Sequence, residues 1–370
     1  MLRVAITGGE GFLGTHMRFF LYEKKDTYEV VLIEKSDFDN DGLLKTKLDG
    51  VDTVLHFSGL NRGSEEEIYR VNTELTNKIL NACDGLNSKP KILFVSSTHN
   101  TRDTAYGRSK RDSEKMILDW GLKNKVSTTS VVSSNIFGEF GKPNYNSFVS
   151  TFCFNIVSNI ESEVNKDAVV NLVYVRDVCN FFYDLIQKDV MEESYVISGV
   201  PIKILDVYNK LVLFKDEYLS GTIPKIESKF DLNLFNTFRS YLYPKHFPIL
   251  LDLKTDNRGS FVEVVKERSG GQSSFSTTHP GITRGNHYHT RKVERFCVLS
   301  GEASIKLRRI FTDEIIDYKV SGDKPVYVDM PTFYTHSIEN IGNTELLTMF
   351  WINEFYDPSD PDTFMENVII

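Results

Sequence analysis

Apolar and polar residues alternate in a regular way over the first two thirds of the chain. Short apolar runs predict strands at Leu2–Thr7, Val30–Glu34, Val51–Phe57, Ile92–Ser96 and Ser127–Val132. Between them, apolar residues recur at helical spacing in three segments, Gly11–Glu23, Ser64–Cys83 and Tyr106–Trp120. Strands that alternate with helices in units of about 30 residues predict a parallel sheet covered on both faces. We therefore expect a doubly wound α/β domain over residues 1–246.

The pattern changes after Tyr243, where Pro244 and Pro248 interrupt regular structure. Short β-type runs punctuated by glycine follow at Ser260–Val265, Gln272–Thr278, Glu294–Ser300, Ala303–Ile310, Val326–Asp329 and Leu346–Asn353. No long helical period is found among them. The chain is therefore predicted to contain a second domain of a different class, an all-β jelly roll over residues 247–370.

Composition narrows the classes of function. The 370 residues include 43 Lys and Arg against 51 Asp and Glu, a formal net charge of −8, which argues against broad nonspecific binding to nucleic acid or anionic membrane. No apolar run approaches the roughly 18 residues of a spanning helix, and because the first strand starts at Leu2 we expect no signal peptide before the fold. The four cysteines are far apart and form no CxxC pair, which favours reduced thiols. We expect a cytoplasmic protein that binds neither nucleic acid nor membrane.

Glycines recur at every third position in the segment that joins the first predicted strand to the first predicted helix. Gly8, Gly11 and Gly14 allow a tight turn, close approach of the backbone to a pyrophosphate, and close packing of helix on strand. The start of the helix, which includes Phe12 and Leu13, offers unpaired backbone N–H groups to the phosphates. The segment predicts a Rossmann-like dinucleotide site with all five residues as cofactor contacts.

Two further segments are expected to contribute to that site. Glu34 ends the second predicted strand, 20 residues after Gly14, where a carboxylate can bond the ribose hydroxyls of NAD. Lys35 can instead pair with the 2′-phosphate of NADP, so these residues leave the coenzyme open. Phe57 and Ser58 follow the third strand, among small residues that let the backbone approach a cofactor. The neighbouring His56 is interpreted as structural.

The segment Tyr106-Gly107-Arg108-Ser109-Lys110 carries the candidate catalytic chemistry. On a helix, the i,i+4 spacing puts Tyr106 and Lys110 on one face. A nearby ammonium stabilises tyrosinate and lowers the phenol pKa, so that Tyr106 can exchange a proton with a substrate oxygen. Thr98 follows the preceding strand, and its hydroxyl can hydrogen-bond the same carbonyl.

Together these motifs resemble the extended short-chain dehydrogenase/reductase family, which contains nucleotide-sugar epimerases, dehydratases and reductases. The resemblance covers roughly residues 1–245 and includes Asn72 and Asn135-Ile136-Phe137-Gly138. It implies catalysis by Thr98, Tyr106 and Lys110. It also implies that Lys110 holds the nicotinamide ribose and that Asn72 joins the cofactor contacts.

Three asparagines are candidate substrate contacts. Asn135 belongs to the N-x-F-G segment of the resemblance. Asn144 and Asn146 lie in a polar loop that either faces the sugar nucleotide or forms ordinary surface. Val132 departs from the family pattern, because many members carry arginine three residues before the asparagine of the N-x-F-G segment.

Four histidines fall between His279 and His336, and their spacing is that of a cupin. Gly281, five residues, the pair His287 and His289, four residues, Glu294, six residues and Gly301 match the first cupin motif; Pro331–Asn340 matches the second in part, with Phe333 in place of a glycine. On a strand, His287 and His289 point to the same face. With Glu294 and His336 they form a set suited to a divalent transition ion, for which we expect zinc. Nickel, iron, manganese and a metal-free cupin remain alternatives.

The upstream segments Asp256–Glu263 and Gln272–Ser276, with Arg284-Gly285-Asn286-His287, resemble the dTDP-4-keto-6-deoxysugar 3,5-epimerase family of cupins. In that family the first histidine removes a proton α to a ketone and no metal is present. A ketone connects the two predicted domains: its α-proton moves when the enolate oxygen is stabilised, and its carbonyl carbon accepts hydride. We therefore predict epimerisation at C3 in the cupin and reduction at C4 in the Rossmann domain.

Over essentially the whole chain, the order of these motifs resembles the CapF family of capsular polysaccharide biosynthesis enzymes. The resemblance implies a homodimeric, bifunctional enzyme that contains zinc and uses NADPH, with NAD as the alternative coenzyme. The substrate implied is a UDP-linked 4-keto-6-deoxy amino sugar on the pathway to UDP-N-acetyl-L-fucosamine. Two other interpretations stay open: a 4-keto-sugar reductase with a non-catalytic cupin, and an NAD(P)-sensing regulator.

Overall fold

The structure is a computed structural model that describes residues 1–188 and 193–370. It contains two compact units, one of Met1–Phe137 with Asp167–Lys203 and one of Gly138–Lys166 with Ile204–Ile370. The second unit therefore includes chain from both sides of residues 246 and 247. The predicted domain boundary at residues 246 and 247 is a position along the sequence, whereas the two units are defined by contacts in space. The boundary therefore stays a prediction.

The chain up to residue 203 alternates strands and helices as the sequence pattern indicates. In order, they are β1 (Leu2–Thr7), α1 (Phe12–Tyr22), β2 (Tyr28–Ile33), α2 (Asp41–Leu48), β3 (Thr53–His56), α3 (Glu65–Asp84), β4 (Lys91–Ser97), α4 (Ala105–Asn124), β5 (Thr128–Ser133), β6 (Asn135–Phe137), α5 (Phe148–Ser158), β7 (Val169–Tyr174), α6 (Val175–Ile186), β8 (Glu193–Ile197) and β9 (Val200–Lys203). Short 3-10 helices cover Lys35–Asp39 and Thr98–Thr101. Of these elements α5 belongs to the second unit, and the others belong to the first.

The main sheet of the first unit has six parallel strands in the order β2-β1-β3-β4-β5-β8. Strand β1 lies between β2 and β3, so the direction of the connections reverses there. In such sheets ligands bind outside the carboxyl ends of the strands at that reversal. Thr7 and His56 are register partners at these ends, which brings the glycine segment after β1 beside Phe57 and Ser58 after β3.

Helices α2, α3 and α4 cover an apolar face of this sheet. Leu44, Leu48, Ile79 and Trp120 are buried in one cluster with side chains of β1, β3 and β4. Burying each aliphatic side chain contributes about 1.5–3 kcal/mol. The periodic apolar positions of the sequence thus become the interface that holds α4, and with it Tyr106, against the sheet.

The second unit continues with two helices and a series of short strands. They are α7 (Ile204–Leu219), β10 (Thr222–Ile223), α8 (Lys229–Arg239), β11 (Ile249–Leu250), β12 (Lys254–Asp256), β13 (Gly259–Phe261), β14 (Lys266–Glu267), β15 (Gln272–Thr278), β16 (Thr283–Tyr288), β17 (Glu294–Ser300), β18 (Glu302–Arg309), β19 (Ile315–Ser321), β20 (Val326–Met330), β21 (Tyr334–Asn340), β22 (Leu346–Ile352) and β23 (Phe364–Met365). Two antiparallel sheets dominate, β11-β20-β17-β22-β15 and β19-β18-β21-β16-β23. This architecture confirms the predicted pair of folds, a Rossmann-like α/β domain followed by an all-β cupin.

Helices α7 and α8 are fastened to the cupin strands by buried polar groups. Tyr218 of α7 donates a hydrogen bond of 2.6 Å to Asp329 of β20, and Arg295 of β17 pairs with the same carboxylate through two bonds of 2.7 and 2.9 Å. Arg239 of α8 donates to the Met330 carbonyl at 2.6 Å. Removing one partner of a buried ion pair costs about 3–5 kcal/mol. The cupin unit therefore includes helices that precede residue 247.

Throughout the two described ranges, the helices fall short of the length and apolar character that crossing a bilayer requires. The four cysteines are all buried free thiols, as the sequence predicts.

Candidate functional site

The loop after β1 has the backbone geometry that its glycines predict. Gly8 has a φ of +68°, a left-handed conformation that favours glycine, and a Cβ there would lie 2.9 Å from the Ser58 nitrogen. A Cβ on Gly14 would lie 2.1 Å from the Gly8 carbonyl oxygen, so only glycine fits. Helix α1 begins at Phe12 without a side-chain cap at Gly11. Its first N–H groups, those of Phe12, Leu13 and Gly14, are therefore suited to bind an anion.

Thr7 and His56 hold the two loops of this site together. The Thr7 hydroxyl accepts hydrogen bonds from the backbone N–H groups of Phe57 and Ser58, at 3.1 Å each, and lies 2.9 Å from His56 Nδ1. His56 Nε2 lies 3.2 Å from the Thr76 hydroxyl. Burial, with a smaller effect of the Lys110 charge, lowers the pKa of His56 to about 3. His56 is therefore a neutral structural residue, which confirms its interpretation.

Glu34 and Lys35 are both exposed at the end of β2. The Glu34 carboxylate accepts a hydrogen bond from the backbone N–H of Asp37, whose own carboxylate accepts from the Glu34 N–H at 2.7 Å. Asn72, in contrast, is buried on α3. Its side chain accepts a hydrogen bond from the Leu60 backbone N–H at 2.6 Å and donates one to the Leu60 carbonyl at 2.8 Å. Its amide also donates to the Ser109 hydroxyl at 3.0 Å. Asn72 thus fastens the loop after β3 to helix α4.

Tyr106 and Lys110 lie on one face of α4, with Lys110 Nζ 5.8 Å from the centre of the Tyr106 ring. Lys110 is buried, and its ammonium donates to the Val95 carbonyl at 3.0 Å. Burial lowers the pKa of Lys110 to about 8. Burial also raises the pKa of Tyr106, although a hydrogen bond with Ser97 opposes this. The structure therefore differs from the expected lowering of the phenol pKa, because loss of water outweighs the nearby ammonium.

Ser97, the residue before Thr98, carries the hydroxyl that acts on the pKa of Tyr106. Strand β4 extends to Ser97, one residue beyond its predicted end, and Ser97 forms the side-chain hydrogen bond with Tyr106. Thr98 is exposed and begins a 3-10 helix. The role predicted for Thr98 stays a prediction. Ser97 was not among the predicted site residues, and its pairing with β5 places it at the end of β4.

The three candidate substrate asparagines are all exposed. Asn135 belongs to the first unit, and its amide donates to the Asn171 carbonyl at 3.4 Å. Asn144 and Asn146 belong to the second unit. Asn144 has a φ of +55°, and its backbone N–H donates to Thr151 at 3.0 Å. Their part in substrate binding stays a prediction.

The cupin residues form one cluster within the second unit. His287 pairs in register with His336 across β16 and β21, and their ring centres lie 4.6 Å apart. His289 follows β16, and Glu294 begins β17. One nitrogen or oxygen ligand atom from each of the four residues lies within 4.8 Å of the others. The four predicted ligands are therefore brought together from three strands and one loop.

The hydrogen bonds of His289 and His336 make the cluster suitable for a metal ion. Nδ1 of His289 bonds the Asp362 carbonyl at 2.5 Å, and Nδ1 of His336 lies 3.2 Å from the Tyr334 carbonyl. Because a carbonyl only accepts, Nδ1 carries a hydrogen in both rings. Burial works against charge on His289, but the hydrogen bond and charge of Glu294 raise the pKa of its ring. Each Nε2 lies 3.1 Å from Glu294 Oε2, and that of His336 is buried without a hydrogen bond. Two imidazole nitrogens and a carboxylate oxygen at this separation are suited to bind one shared cation.

The charges within the cluster depend on one another. Burial, followed by the charges of His336 and His289, lowers the pKa of His287 to about 3, so this ring is neutral at pH 7. Burial works against charge on Glu294 as well, but His289 and His336 hold the pKa of its carboxyl well below the usual range. The pocket therefore holds one carboxylate and a neutral His287 ring, which are ligand forms that Zn²⁺ accepts.

Phe333 occupies the position where the cupin motif has glycine. It is buried and has a φ of +62°, the left-handed conformation that a bulky residue rarely adopts. Its backbone N–H donates to the His289 carbonyl at 2.8 Å. The turn thus keeps the backbone shape of the motif and links β21 to the His289 loop.

Comparison with known proteins places both units in one family. The NAD dependent epimerase/dehydratase family matches residues 4–198, and the polysaccharide biosynthesis C-terminal domain matches residues 254–364. The UDP-2-acetamido-2,6-beta-L-arabino-hexul-4-ose reductase of Pseudomonas aeruginosa is 32% identical over 98% of both chains. The crystal structure of the capsular polysaccharide assembling protein CapF from Staphylococcus aureus is 33% identical, covers 99% of this chain and 100% of that one, and has a TM-score of 0.64.

The chain belongs to the CapF-like family. A structure of CapF with the inhibitor 3-isopropenyl-tropolone also matches, with 31% identity, a TM-score of 0.60 and 99% of this chain covered. Membership in the CapF-like family confirms the resemblance found from the motifs. Since the family of residues 4–198 is NAD dependent by name, it also supports a nicotinamide coenzyme for the first unit.

Proposed function

We propose that the protein is a bifunctional nucleotide-sugar enzyme of capsule or O-antigen synthesis. Its substrate is UDP-2-acetamido-2,6-dideoxy-L-hex-4-ulose, which the cupin epimerises at C3 and the Rossmann domain reduces at C4 with NADPH. The product is UDP-2-acetamido-2,6-dideoxy-L-talose. The reductase activity of the Pseudomonas aeruginosa relative supports the reduction. The observation that carries the proposal is the pair formed by the half-buried Tyr106 and the buried Lys110 on one face of helix α4.

The chain's own part in reduction is to deliver a proton. A bound nicotinamide coenzyme supplies the hydride for the carbonyl carbon. Tyr106 donates its phenolic proton to the carbonyl oxygen, and its raised pKa keeps it protonated at neutral pH. Ser97 orients the phenol through their hydrogen bond, and the Lys110 ammonium stabilises the phenolate that remains. A proton from solvent then restores Tyr106.

The turn after β2 supports NADPH as the coenzyme. The Glu34 carboxylate, which would repel a 2′-phosphate, caps the 3-10 helix through the Asp37 N–H. Lys47 lies 2.7 Å from the Asp37 carboxylate and stabilises this turn. Lys35 is exposed and available to a phosphate. We expect Lys35→Ala to raise the KM for NADPH and leave that for NADH unchanged.

The cupin cluster supports metal-assisted epimerisation. The residues that would hold the ion are His287, His289, Glu294 and His336. A bound Zn²⁺ polarises the ketone oxygen and makes the C3 proton more acidic. Because the four side chains serve as ligands, a further residue removes that proton. The second unit buries the cluster, which strengthens these electrostatic effects.

A homodimer is the assembly we propose. Every residue of β12 and β13 is exposed, including Phe261, and this hairpin contains the segment that resembles the 3,5-epimerase cupins. Strand β15 is an edge strand with Phe275 72% exposed. Exposed apolar side chains on an edge strand are suited to pairing with a second chain. Light scattering on the purified protein measures the assembly directly.

The test uses the full chain with the 4-keto UDP-sugar and NADPH in D₂O. We expect NADPH consumption and a talose product that carries deuterium at C3, read by NMR. NADPH consumption without deuterium at C3 would reject epimerisation and favour a reductase whose cupin is not catalytic. Absence of both reactions would reject the enzyme and favour a sensor of the coenzyme.

Metal content provides a separate test. Elemental analysis of the protein purified without added metal is expected to give about one zinc ion per chain. Tropolone, which chelates metals through two oxygens, is expected to inhibit deuterium exchange at C3. Metal-free protein that retains full exchange would reject the metal-assisted mechanism.

A further inference from the structure

The C-terminal segment of the chain pairs with β16, the strand that contains His287 and ends just before His289. Strand β23 pairs with β16, with Met365 opposite His287 and Phe364 opposite Tyr288. The Tyr288 and Phe364 rings stack at 5.3 Å. Arg308 of β18 is buried and donates to the carbonyls of Asn367 and Val368 at 2.6 and 2.9 Å. This segment is thus part of the cupin core.

One residue of this segment, Asp362, is bonded to the backbone that follows His289. Its carboxylate accepts hydrogen bonds from three consecutive N–H groups, those of Thr290, Arg291 and Lys292, each at 3.0 Å. The Thr290 hydroxyl adds a fourth at 2.6 Å. Three successive backbone N–H groups form a concave site for an anion. Asp362 therefore holds the His289 loop from outside the cluster.

The backbone of Asp362 makes a second contact, with the His289 ring itself. The Asp362 carbonyl accepts the hydrogen of His289 Nδ1 at 2.5 Å. Asp362 has a φ of +41° and is 3% exposed, so it is held in an uncommon conformation. Such conformations persist where the surroundings hold them, and they occur often at functional sites.

From these contacts we propose that Asp362 is the positioning residue of the metal cluster. Its carboxylate holds the loop at 290–292, which places its carbonyl on His289 Nδ1 and directs Nε2 toward Glu294. Partners of this kind fix the tautomer and orientation of a metal-binding histidine. The inference rests on the proposed metal site, and it adds a residue distant in sequence that contacts no ligand atom of the metal.

The test is Asp362→Asn in the full chain, because asparagine tolerates a positive φ. The new amide group faces the backbone N–H donors, so the loop loses part of its anchor. We expect zinc affinity, measured by competition with a fluorescent chelator, to fall about 10–100-fold. We also expect the ¹⁵N shifts of His289 to show loss of the single Nδ1–H tautomer. NADPH binding by the first unit should be unchanged.

Asp360→Asn is the matched control. Its carboxylate lies in the same segment, 3.0 Å from Arg291, and its side chain is 69% exposed. Equal zinc affinity in wild type and Asp362→Asn would overturn the proposal, and so would an equal loss in both variants. If Asp362→Asn lowers the melting temperature, Asp362→Gly, which relaxes the positive φ, must still show the tautomer change. Wild-type protein that binds no zinc would instead reject the metal site itself.

Discussion

The two candidate sites are built in opposite ways. In the Rossmann unit, each part of the site comes from a short stretch of sequence: the glycine segment after β1, and Tyr106 with Lys110 on one helix. The buried Lys110 ammonium donates a hydrogen bond to the Val95 carbonyl. In the cupin unit, a carboxylate and three imidazoles come from strands as far apart in sequence as His287 and His336. Burial therefore lowers the pKa of Lys110, whereas Glu294 stays charged because histidines surround it.

This difference bears on what each site needs. A lone buried ammonium is destabilising until a ligand or partner compensates for lost water. A carboxylate that faces two imidazole Nε2 atoms is suited to share a metal cation with them in place of their protons. The first site is thus prepared to receive an oxygen that accepts a proton, and the second to receive a metal ion.

The sharpest way to separate the two sites is Tyr106→Phe. Without the phenolic proton, reduction followed by NADPH absorbance is expected to slow about 10³-fold, within the usual range for a general acid. Deuterium exchange at C3 should continue at the wild-type rate, because it belongs to the other unit. Tyr69→Phe, which removes an exposed hydroxyl bonded to Asp112 in the same unit, is the control and should leave both rates unchanged. Loss of both reactions in Tyr106→Phe would contradict the division of labour.

The reciprocal change is His336→Ala. Removing a ligand whose ring is fully buried should weaken zinc binding by at least about 100-fold and abolish exchange at C3. Reduction of substrate that is already epimerised at C3 should continue. His279→Ala tests specificity, since the His279 side chain is 84% exposed in the same unit. Full zinc occupancy in the His336 variant by elemental analysis would show that the ligand set is different.

Local pattern was enough for the parts of the fold that contiguous residues determine. The predicted bounds of β1, β15 and β17 match the structure. These bounds depend on the alternation of apolar and polar residues within each strand and on the turn residues next to it, all of which are local in sequence. The glycine segment and the four residues of the cupin cluster were predicted in the same way, by spacing. The end of β4 shows the limit, because the strand extends to Ser97, one residue beyond its predicted end.

Contacts between distant residues could not be predicted from pattern. Helices α7 and α8 belong to the cupin unit through the bonds of Tyr218 and Arg239 to β20, about 90 to 110 residues away along the chain. Asp362 lies about 70 residues from the loop that it holds. Nothing in the local sequence around Asp362 marks it, since its role depends on which N–H groups the fold places beside it.

The glycine segment offers a test of how tightly the first site is packed. Gly14→Ala places a methyl group 2.1 Å from the Gly8 oxygen, so the helix must shift. We expect a loss of about 2 kcal/mol in unfolding free energy and weaker NADPH binding. Gly42→Ala is the matched control, because its Cβ would lie 3.4 Å from the Asn40 side chain at an exposed position of α2. Fluorescence titration with NADPH and thermal unfolding measure both effects, and equal behaviour of the two variants would argue against a packed loop.

The smallest expected effect concerns the pH dependence that Lys110 imposes. Its pKa of about 8 in the folded chain lies below the ordinary 10.5, so between these values the unfolded chain binds more protons and stability rises with pH. Below pH 8 the buried Lys110 is charged and its full cost to the unfolding free energy is present. The pKa shift corresponds to about 3 kcal/mol, and the hydrogen bond to Val95 returns about 1 kcal/mol. Lys110→Met should therefore be inactive in reduction yet about 2 kcal/mol more stable than wild type at pH 7, and this advantage should shrink toward pH 10. Denaturant unfolding of the coenzyme-free proteins between pH 7 and pH 10 measures this difference in stability. An advantage of the Lys110→Met variant that grows with pH would mean that the folded protein stabilises the Lys110 ammonium, in the way that it stabilises the Glu294 carboxylate.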